Sequence, residues 1–201
     1  MNSYPVTSIR YGLQNLSEPT FSGPADLAVA GPNVGTNLGL VTQVSGTVGA
    51  ATEAAKLGFP ALAFSGDSGS QTAWNAHVEP YMTIYADLST NVTKTLVDSG
   101  KPYLPKGIWL NVNFPKVEGK CKKAKDFKFV LSRIYPAIPL ITEDVETCGS
   151  KQLPAERSVV GTDGCYASIS VANTDKQDVD KETQAVVLKK LGGILSCLPK
   201  K

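Results

Sequence analysis

The 201-residue sequence lacks several features that would assign it to a class of protein. No apolar run approaches the roughly 18 residues that a membrane-spanning helix needs. The first residues have neither the basic start nor the apolar core of a signal peptide. The net charge of +2 is too small to indicate a nucleic-acid partner. We therefore expect neither a membrane nor a nucleic-acid polymer among its partners.

Histidine and closely spaced cysteines are also scarce. The only histidine is His77, and no C-x-x-C pair occurs, so a zinc site is not expected. The run Gly66-Asp67-Ser68-Gly69 is typical of trypsin-like proteases, but His77 follows Ser68, which is the wrong chain order for their catalytic triad. The four cysteines are Cys121, Cys148, Cys165 and Cys197. Their even number favours two disulfides in an oxidising compartment, and four buried thiols in a cytosolic chain are the alternative.

The sequence does contain alternating strand-like and helix-like segments. Apolar runs at 26–30, 61–65 and 108–115 predict buried strands. Helices are predicted between them, over Val48–Leu57 and from about Tyr81 to Ser99. This order predicts a doubly wound, mostly parallel α/β sheet in one domain, 1–201, with a right-handed crossover in its first unit.

The remaining segments are less regular. A short helix is predicted over Val6–Leu13 and a terminal helix over Thr183–Leu195. The β-rich segments Phe127–Ile134 and Ala137–Ile141 predict two extended arms. The alternation of apolar and polar residues over Tyr166–Val171 predicts an edge or half-exposed strand.

A glycine-rich loop, residues 31–39, follows the first predicted strand. Ligands of doubly wound sheets bind beyond the carboxyl ends of the strands, where this loop and Asn111–Pro115 are expected. Asn33 and Asn37 could offer amide oxygens to Mg²⁺ or Mn²⁺, or orient a phosphate through their amide nitrogens. Alternatively, both asparagines simply occupy left-handed turn positions.

The segment Ser45-Gly46-Thr47 is predicted to lie at a helix N-terminus. Free N–H groups and the helix dipole favour a phosphoryl oxygen at such a position. The alternative is that Ser45 is an ordinary N-cap residue.

Four runs of the sequence resemble the SurE family of metal-dependent phosphatases and nucleotidases, in particular its secreted fungal branch. They are Ala30–Gly39, Ser45–Ala51, Pro60–Ser65 and Leu110-Asn111-Val112-Asn113-Phe114-Pro115. Thr162-Asp163-Gly164 and the segment 166–170 fit a late aspartate and edge strand of the family. The resemblance extends over nearly the whole chain from about Tyr4. It implies a Rossmann-like, doubly wound sheet with extended β arms and a C-terminal helix.

The resemblance also implies a function, the metal-dependent hydrolysis of small phosphomonoesters by an acid phosphatase or 5'(3')-nucleotidase. Asn33 matches the family's asparagine ligand to a divalent metal, Mg²⁺ or Mn²⁺. The residues that match the phosphate pocket are Asn37, Ser45, Gly46 and Thr47, and the candidate catalytic residues are Asn37, Ser45 and Thr47. The alternative is a non-catalytic phosphate-binding, nucleotide-binding or structural relative.

The even cysteine count and the glycosylation motifs at Asn15 and Asn91 favour an extracellular glycoprotein, which fits the resemblance to the secreted branch. The implied arms around Phe127–Ile141 would allow a homo-oligomer.

The family's remaining metal ligands have no match in this sequence. The family places two adjacent aspartates in an Asn-Asp-Asp-Gly loop, with a serine ligand further along, whereas no Asp-Asp pair occurs here. We therefore expect that the first β–α–β unit is missing, either because the chain is a fragment or because it is a truncated relative. Weak or no metal-dependent activity and an unpaired sheet edge are the corresponding expectations.

Overall fold

Five strands form one mixed sheet in the computed structural model, which describes residues 2–199. The strands are β1 (Ala28–Val34), β2 (Ala61–Gly66), β3 (Trp109–Phe114), β4 (Lys128–Ser132) and β5 (Tyr166–Ala172). Their order across the sheet is β1-β2-β3-β5-β4. All neighbouring pairs are parallel except β3 and β5. The prediction of a mostly parallel α/β sheet is confirmed.

Helices cover both faces of this sheet. They are α1 (Pro5–Tyr11), α2 (Ser17–Phe21), α3 (Gly46–Lys56), α4 (Pro80–Asp98), α5 (Glu156–Val160) and α6 (Lys181–Leu191). A π-helical turn, Gly12–Leu16, joins α1 to α2, and short 3₁₀ turns occupy Gly39–Gln43 and Ala124–Asp126. The terminal helix ends at Leu191 rather than Leu195, before two glycines that favour termination. No helix within residues 2–199 is both long and apolar enough to cross a membrane.

The two crossover helices lie on opposite faces of the sheet. Along β2, Ala61 and Ala63 pack on the face of α3, whereas Leu62 and Phe64 pack on the face of α4. Because β1, β2 and β3 follow one another in the same direction across the sheet, the two crossovers have opposite hands. The right-handed rule is therefore obeyed by only one of them.

The first helix packs closely on α3 because glycines line the contact. A Cβ added at Gly46 would lie 2.9 Å from Pro5 Cγ, and one added at Gly49 would lie 2.9 Å from Val6 Cγ2. Arg10 extends this contact with an ion pair of 2.7 Å to Glu53. The N-terminal helix is thereby fixed beside the start of α3.

Three strand predictions need correction. Residues 128–132 of the predicted arm Phe127–Ile134 form β4, whose residues after Lys128 are buried in the sheet. Residues 137–141 form no strand and include the exposed Leu140. The predicted edge strand at 166–171 is β5, which lies inside the sheet between β3 and β4. Its polar residues suggested exposure, but Ser168 and Ser170 are buried.

Two disulfides cross-link the second half of the chain. Cys121 pairs with Cys165, and Cys148 pairs with Cys197, so none of the four cysteines is free. The first joins the loop after β3 to the start of β5, and the second joins the segment before α5 to the C-terminal segment. The prediction of two disulfides is confirmed. Their pairing is a finding of the structure.

Substitution of two neighbouring residues on α4 tests the packing of the sheet. Leu96 is fully buried against the sheet, whereas the adjacent Val97 is 40% exposed. We expect Leu96→Ala to lower the free energy of unfolding by about 2–5 kcal/mol because it leaves a cavity. Val97→Ala should change it by less than about 0.5 kcal/mol. Urea denaturation followed by circular dichroism measures both values, and equal losses would contradict the packing described.

Candidate functional site

The glycine-rich loop begins inside β1, where the backbone passes very close to β2. Gly31 has a φ of +99°, and a Cβ added there would lie 2.2 Å from the carbonyl oxygen of Phe64. Only glycine fits such an approach. The pairing of β1 with β2 shifts register between Ala30 and Asn33, so that Asn33 lies opposite Ser65 at the carboxyl end of both strands.

The side chain of Asn33 has its amide nitrogen engaged and its carbonyl oxygen free. Nδ2 donates to the backbone oxygens of Val34 and Gly35, both at 2.9 Å, whereas Oδ1 makes no hydrogen bond within residues 2–199. Asn33 also lines a cavity of about 670 Å³, together with Tyr81 and Tyr85 of α4. The oxygen is thus the atom that remains for a ligand.

Asn37 lies at the centre of a buried set of hydrogen bonds. Its backbone N–H donates to Asn113 Oδ1 (2.8 Å), and its backbone oxygen accepts from Asn111 Nδ2 (2.9 Å). Its own Nδ2 donates to Ser65 Oγ at 2.6 Å. Asn37 is 5% exposed, so its side-chain amide stabilises the loop through buried hydrogen bonds. Its predicted contact with a phosphate remains a prediction.

A buried carboxylate, which the sequence did not reveal, connects this loop to β3 and β5. Glu156 is the first residue of α5 and is fully buried. Its Oε1 accepts from the backbone N–H of Gly39 at 2.7 Å. Its Oε2 accepts from Asn111 Nδ2 and from Ser170 Oγ, both at 2.9 Å. Three elements of the fold therefore meet at one side chain.

Burial dominates the electrostatics of this carboxylate. It raises the pKa of Glu156 to about 8, against an ordinary value of 4.5, because an ionised carboxylate loses its hydration there. The hydrogen bonds from Gly39, Ser170 and Asn111 act in the opposite direction, and the nearby Asp178 raises the pKa further. Within residues 2–199, no basic side chain forms a salt bridge with Glu156.

The segment Ser45-Gly46-Thr47 forms the N-terminus of α3, as predicted. Ser45 is its N-cap, and Ser45 Oγ accepts from Val48 N–H at 3.1 Å, which confirms the N-cap interpretation. The backbone N–H groups of Gly46 and Thr47 donate no hydrogen bond within residues 2–199. No side-chain hydrogen bond joins Ser45 or Thr47 to Asn33 or Asn37 in this part of the chain. The 3₁₀ turn Gly39–Gln43 connects the two groups through the backbone instead.

A row of buried polar side chains surrounds Glu156 on the α3 face of the sheet. It consists of Ser65, Asn111, Asn113, Ser132, Ser168 and Ser170. Ser132 Oγ lies 2.8 Å from Ser170 Oγ, whereas Asn111 Oδ1 and Ser168 Oγ have no hydrogen-bond partner among residues 2–199. The sequence indicates this row through polar residues at every second position of strands that are otherwise apolar. No local pattern indicates Glu156.

The described residues do not by themselves fit a divalent metal. No group of three or more His, Cys, Asp or Glu side chains suited to a metal ion occurs within residues 2–199. Asn33 Oδ1 is a single neutral oxygen, whereas Mg²⁺ is held in proteins by carboxylates together with water and substrate oxygens. Within residues 2–199, Asn33 is therefore the one candidate ligand for the metal that the family resemblance implies, and a single neutral ligand does not make a metal site.

Comparison with known proteins assigns the chain to a family. The family model described as "Survival protein SurE" matches residues 1–134. The chain belongs to the SurE family. A SurE protein from Aquifex aeolicus has a crystal structure similar to this one, with a TM-score of 0.58 and 22% identity, over 95% of this chain and 74% of that chain. That similarity supports the SurE fold.

Two curated relatives carry enzyme names. An acid phosphatase of Yarrowia lipolytica is 35% identical over 178 residues, covering 75% of this chain and 50% of that protein. A 5'-nucleotidase SurE of Desulfatibacillum aliphaticivorans is 36% identical over 117 residues, covering 58% of this chain and 40% of that protein. The chain thus spans half or less of the length of these SurE relatives.

The raised pKa of Glu156 predicts a pH dependence of stability. Because its folded pKa of about 8 exceeds the ordinary value of 4.5, the folded state retains a proton that the unfolded chain releases between these values. The resulting stabilisation is complete below about pH 4.5 and is lost as the pH rises through about 8.

Glu156→Gln removes this titration. We expect the free energy of unfolding of the variant to depend less on pH between about 5 and 8 than that of the parent, measured by urea denaturation across that range. Asp178, whose pKa burial also raises, is present in both proteins, and its interaction with Glu156 is part of the difference that the comparison measures. Parallel pH profiles for the two proteins would contradict the assignment.

Proposed function

We propose that this chain carries the phosphate-binding part of a phosphomonoester hydrolase site. The observation that carries the proposal is the N-terminus of α3, where the N–H groups of Gly46 and Thr47 are unpaired within residues 2–199. Such groups, together with the helix dipole, bind phosphate and stabilise charge that develops on it. The names of the acid phosphatase and 5'-nucleotidase relatives support the same chemistry.

Each residue of the proposed site has a separate part. The N–H groups of Gly46 and Thr47 would bind phosphate oxygens, and the Thr47 hydroxyl would donate a further hydrogen bond. Ser45 would keep the first turn of α3 in place through its bond to Val48. The cavity beside Asn33 is large enough for the organic part of a small phosphomonoester.

A non-catalytic phosphate-binding protein is the second candidate. It is favoured by the absence of a cluster of acidic metal ligands within residues 2–199. The two candidates share the α3 site and differ in whether bound ester is hydrolysed.

The proposal also includes secretion of the protein and its assembly into a homo-oligomer. Two disulfides, together with glycosylation motifs whose asparagines, Asn15 and Asn91, are exposed, support an extracellular glycoprotein of fungal type. The exposed apolar residues Ile138, Leu140 and Ile141 support a homo-oligomeric contact through this segment.

Removal of the Thr47 hydroxyl tests phosphate binding at α3. We expect Thr47→Val to weaken the binding of inorganic phosphate about three- to tenfold, because one donor is lost while the N–H groups remain. Isothermal titration calorimetry gives the dissociation constants. Thr90→Val, the same change at an exposed position of α4, is the matched control and should leave binding unaltered. Absence of phosphate binding in the parent protein would overturn the proposal.

Hydrolysis of p-nitrophenyl phosphate with Mg²⁺, Mn²⁺ or EDTA separates the two candidates. We expect weak or no metal-dependent turnover, because the chain offers one candidate ligand, Asn33. Metal-dependent turnover that disappears in Asn33→Ala would establish the hydrolase. Phosphate binding without turnover would establish the non-catalytic protein.

A further inference from the structure

Glu156 occupies a position where a carboxylate is energetically unfavourable for folding alone. It is fully buried, and within residues 2–199 it forms no salt bridge. Burying a charge or a polar acid without an ionic partner costs free energy, and an apolar side chain of similar size often stabilises a fold as well. The packing of α5 on β5 therefore does not by itself require a carboxyl group at this position.

What the carboxyl group contacts is the backbone of the glycine-rich loop. The Oε1 atom accepts from Gly39 N–H, a residue 117 positions earlier in the chain. The Oε2 atom accepts from Asn111 Nδ2, which also donates to the backbone oxygen of Asn37. Glu156 therefore contacts the loop directly at one point and acts on it through Asn111 at another.

The loop depends on these contacts because it has no regular structure of its own between Val34 and Gly39. Three of its backbone groups are held by side chains from outside the loop, namely the N–H of Asn37, the oxygen of Asn37 and the N–H of Gly39. Asn113 holds the first, Asn111 the second and Glu156 the third. From Gly39 the chain continues through one 3₁₀ turn to the N-terminus of α3.

We propose that Glu156 is a positioning residue that fixes the glycine-rich loop, and through it the entry of the chain into the α3 phosphate site. It touches no substrate and acts by holding Gly39 and Asn111. The inference rests on the proposed function for its consequence in phosphate binding, whereas its effect on the loop can be measured without any ligand.

Amide hydrogen exchange at Gly39, measured by NMR relative to amides of the β2–β3 ladder, tests the position of the loop. Glu156→Met keeps the length and burial of the side chain but offers only a weakly accepting thioether sulfur in place of the carboxyl oxygens. We expect it to raise exchange at Gly39 at least about tenfold over the ladder amides, and to raise the dissociation constant of inorganic phosphate about tenfold. Glu156→Asp, one methylene too short to reach Gly39, provides the same comparison should the methionine variant fail to fold.

Two further variants distinguish positioning from a general loss of stability. Glu156→Gln keeps an oxygen acceptor for Gly39 but loses the one for Asn111, so exchange at Gly39 relative to the ladder should stay within about threefold of the parent. Ser17→Ala removes a buried hydrogen bond of 2.9 Å to the backbone oxygen of Leu13, and neither residue bonds to Glu156 or to the loop. It should lower the melting temperature without altering exchange at Gly39 relative to the ladder, or the affinity for phosphate.

The outcomes separate this inference from the proposed function. If the parent binds no phosphate, the proposed function fails, and the exchange at Gly39 alone decides whether Glu156 positions the loop. Selective exposure of Gly39 in the methionine or aspartate variant supports the inference. Uniform exchange across the sheet, or unchanged protection at Gly39, overturns it.

Discussion

The glycine-rich loop keeps its course because side chains from distant parts of the chain bind its backbone. Asn113 and Asn111 of β3 bind the two sides of Asn37, and Glu156 of α5 binds Gly39. Backbone groups that are buried without partners are unfavourable, so each of these contacts satisfies a group that the loop cannot satisfy itself. The approach of the chain to α3, and hence the proposed phosphate site, depends on this small set of hydrogen bonds.

The two faces of the sheet serve different purposes as a result. The α4 face carries large apolar side chains such as Phe64 and Phe114, which pack against Tyr85 and the rest of that helix. The α3 face carries small alanines near the start of β2 and polar side chains toward its carboxyl end, beginning with Ser65. One face is thus packed with large apolar side chains, while the other combines a smaller apolar cluster with a buried hydrogen-bonded network.

Local patterns in the sequence predicted the architecture well and the site only in part. The apolar periodicity of α4 and the Ser45 cap of α3 are short-range features, and both were predicted with little error. The exposure of β5 was predicted wrongly because Ser168 and Ser170 are buried in the sheet, where Ser170 bonds to Ser132 and Glu156 rather than to water. Asn33 and Asn37 were identified through their motif, whereas Glu156 acts across 117 residues, a distance that no local pattern can represent.

The positions of the disulfides determine which part of the chain gains most conformational entropy on unfolding. Both bonds lie beyond residue 120, and they close overlapping rings with sequence separations of 44 and 49 residues. Cross-links lower the entropy of the unfolded chain within the rings that they close. The entropy gained on unfolding is therefore concentrated in the first 120 residues, where the glycine-rich loop and α3 are held by non-covalent contacts alone.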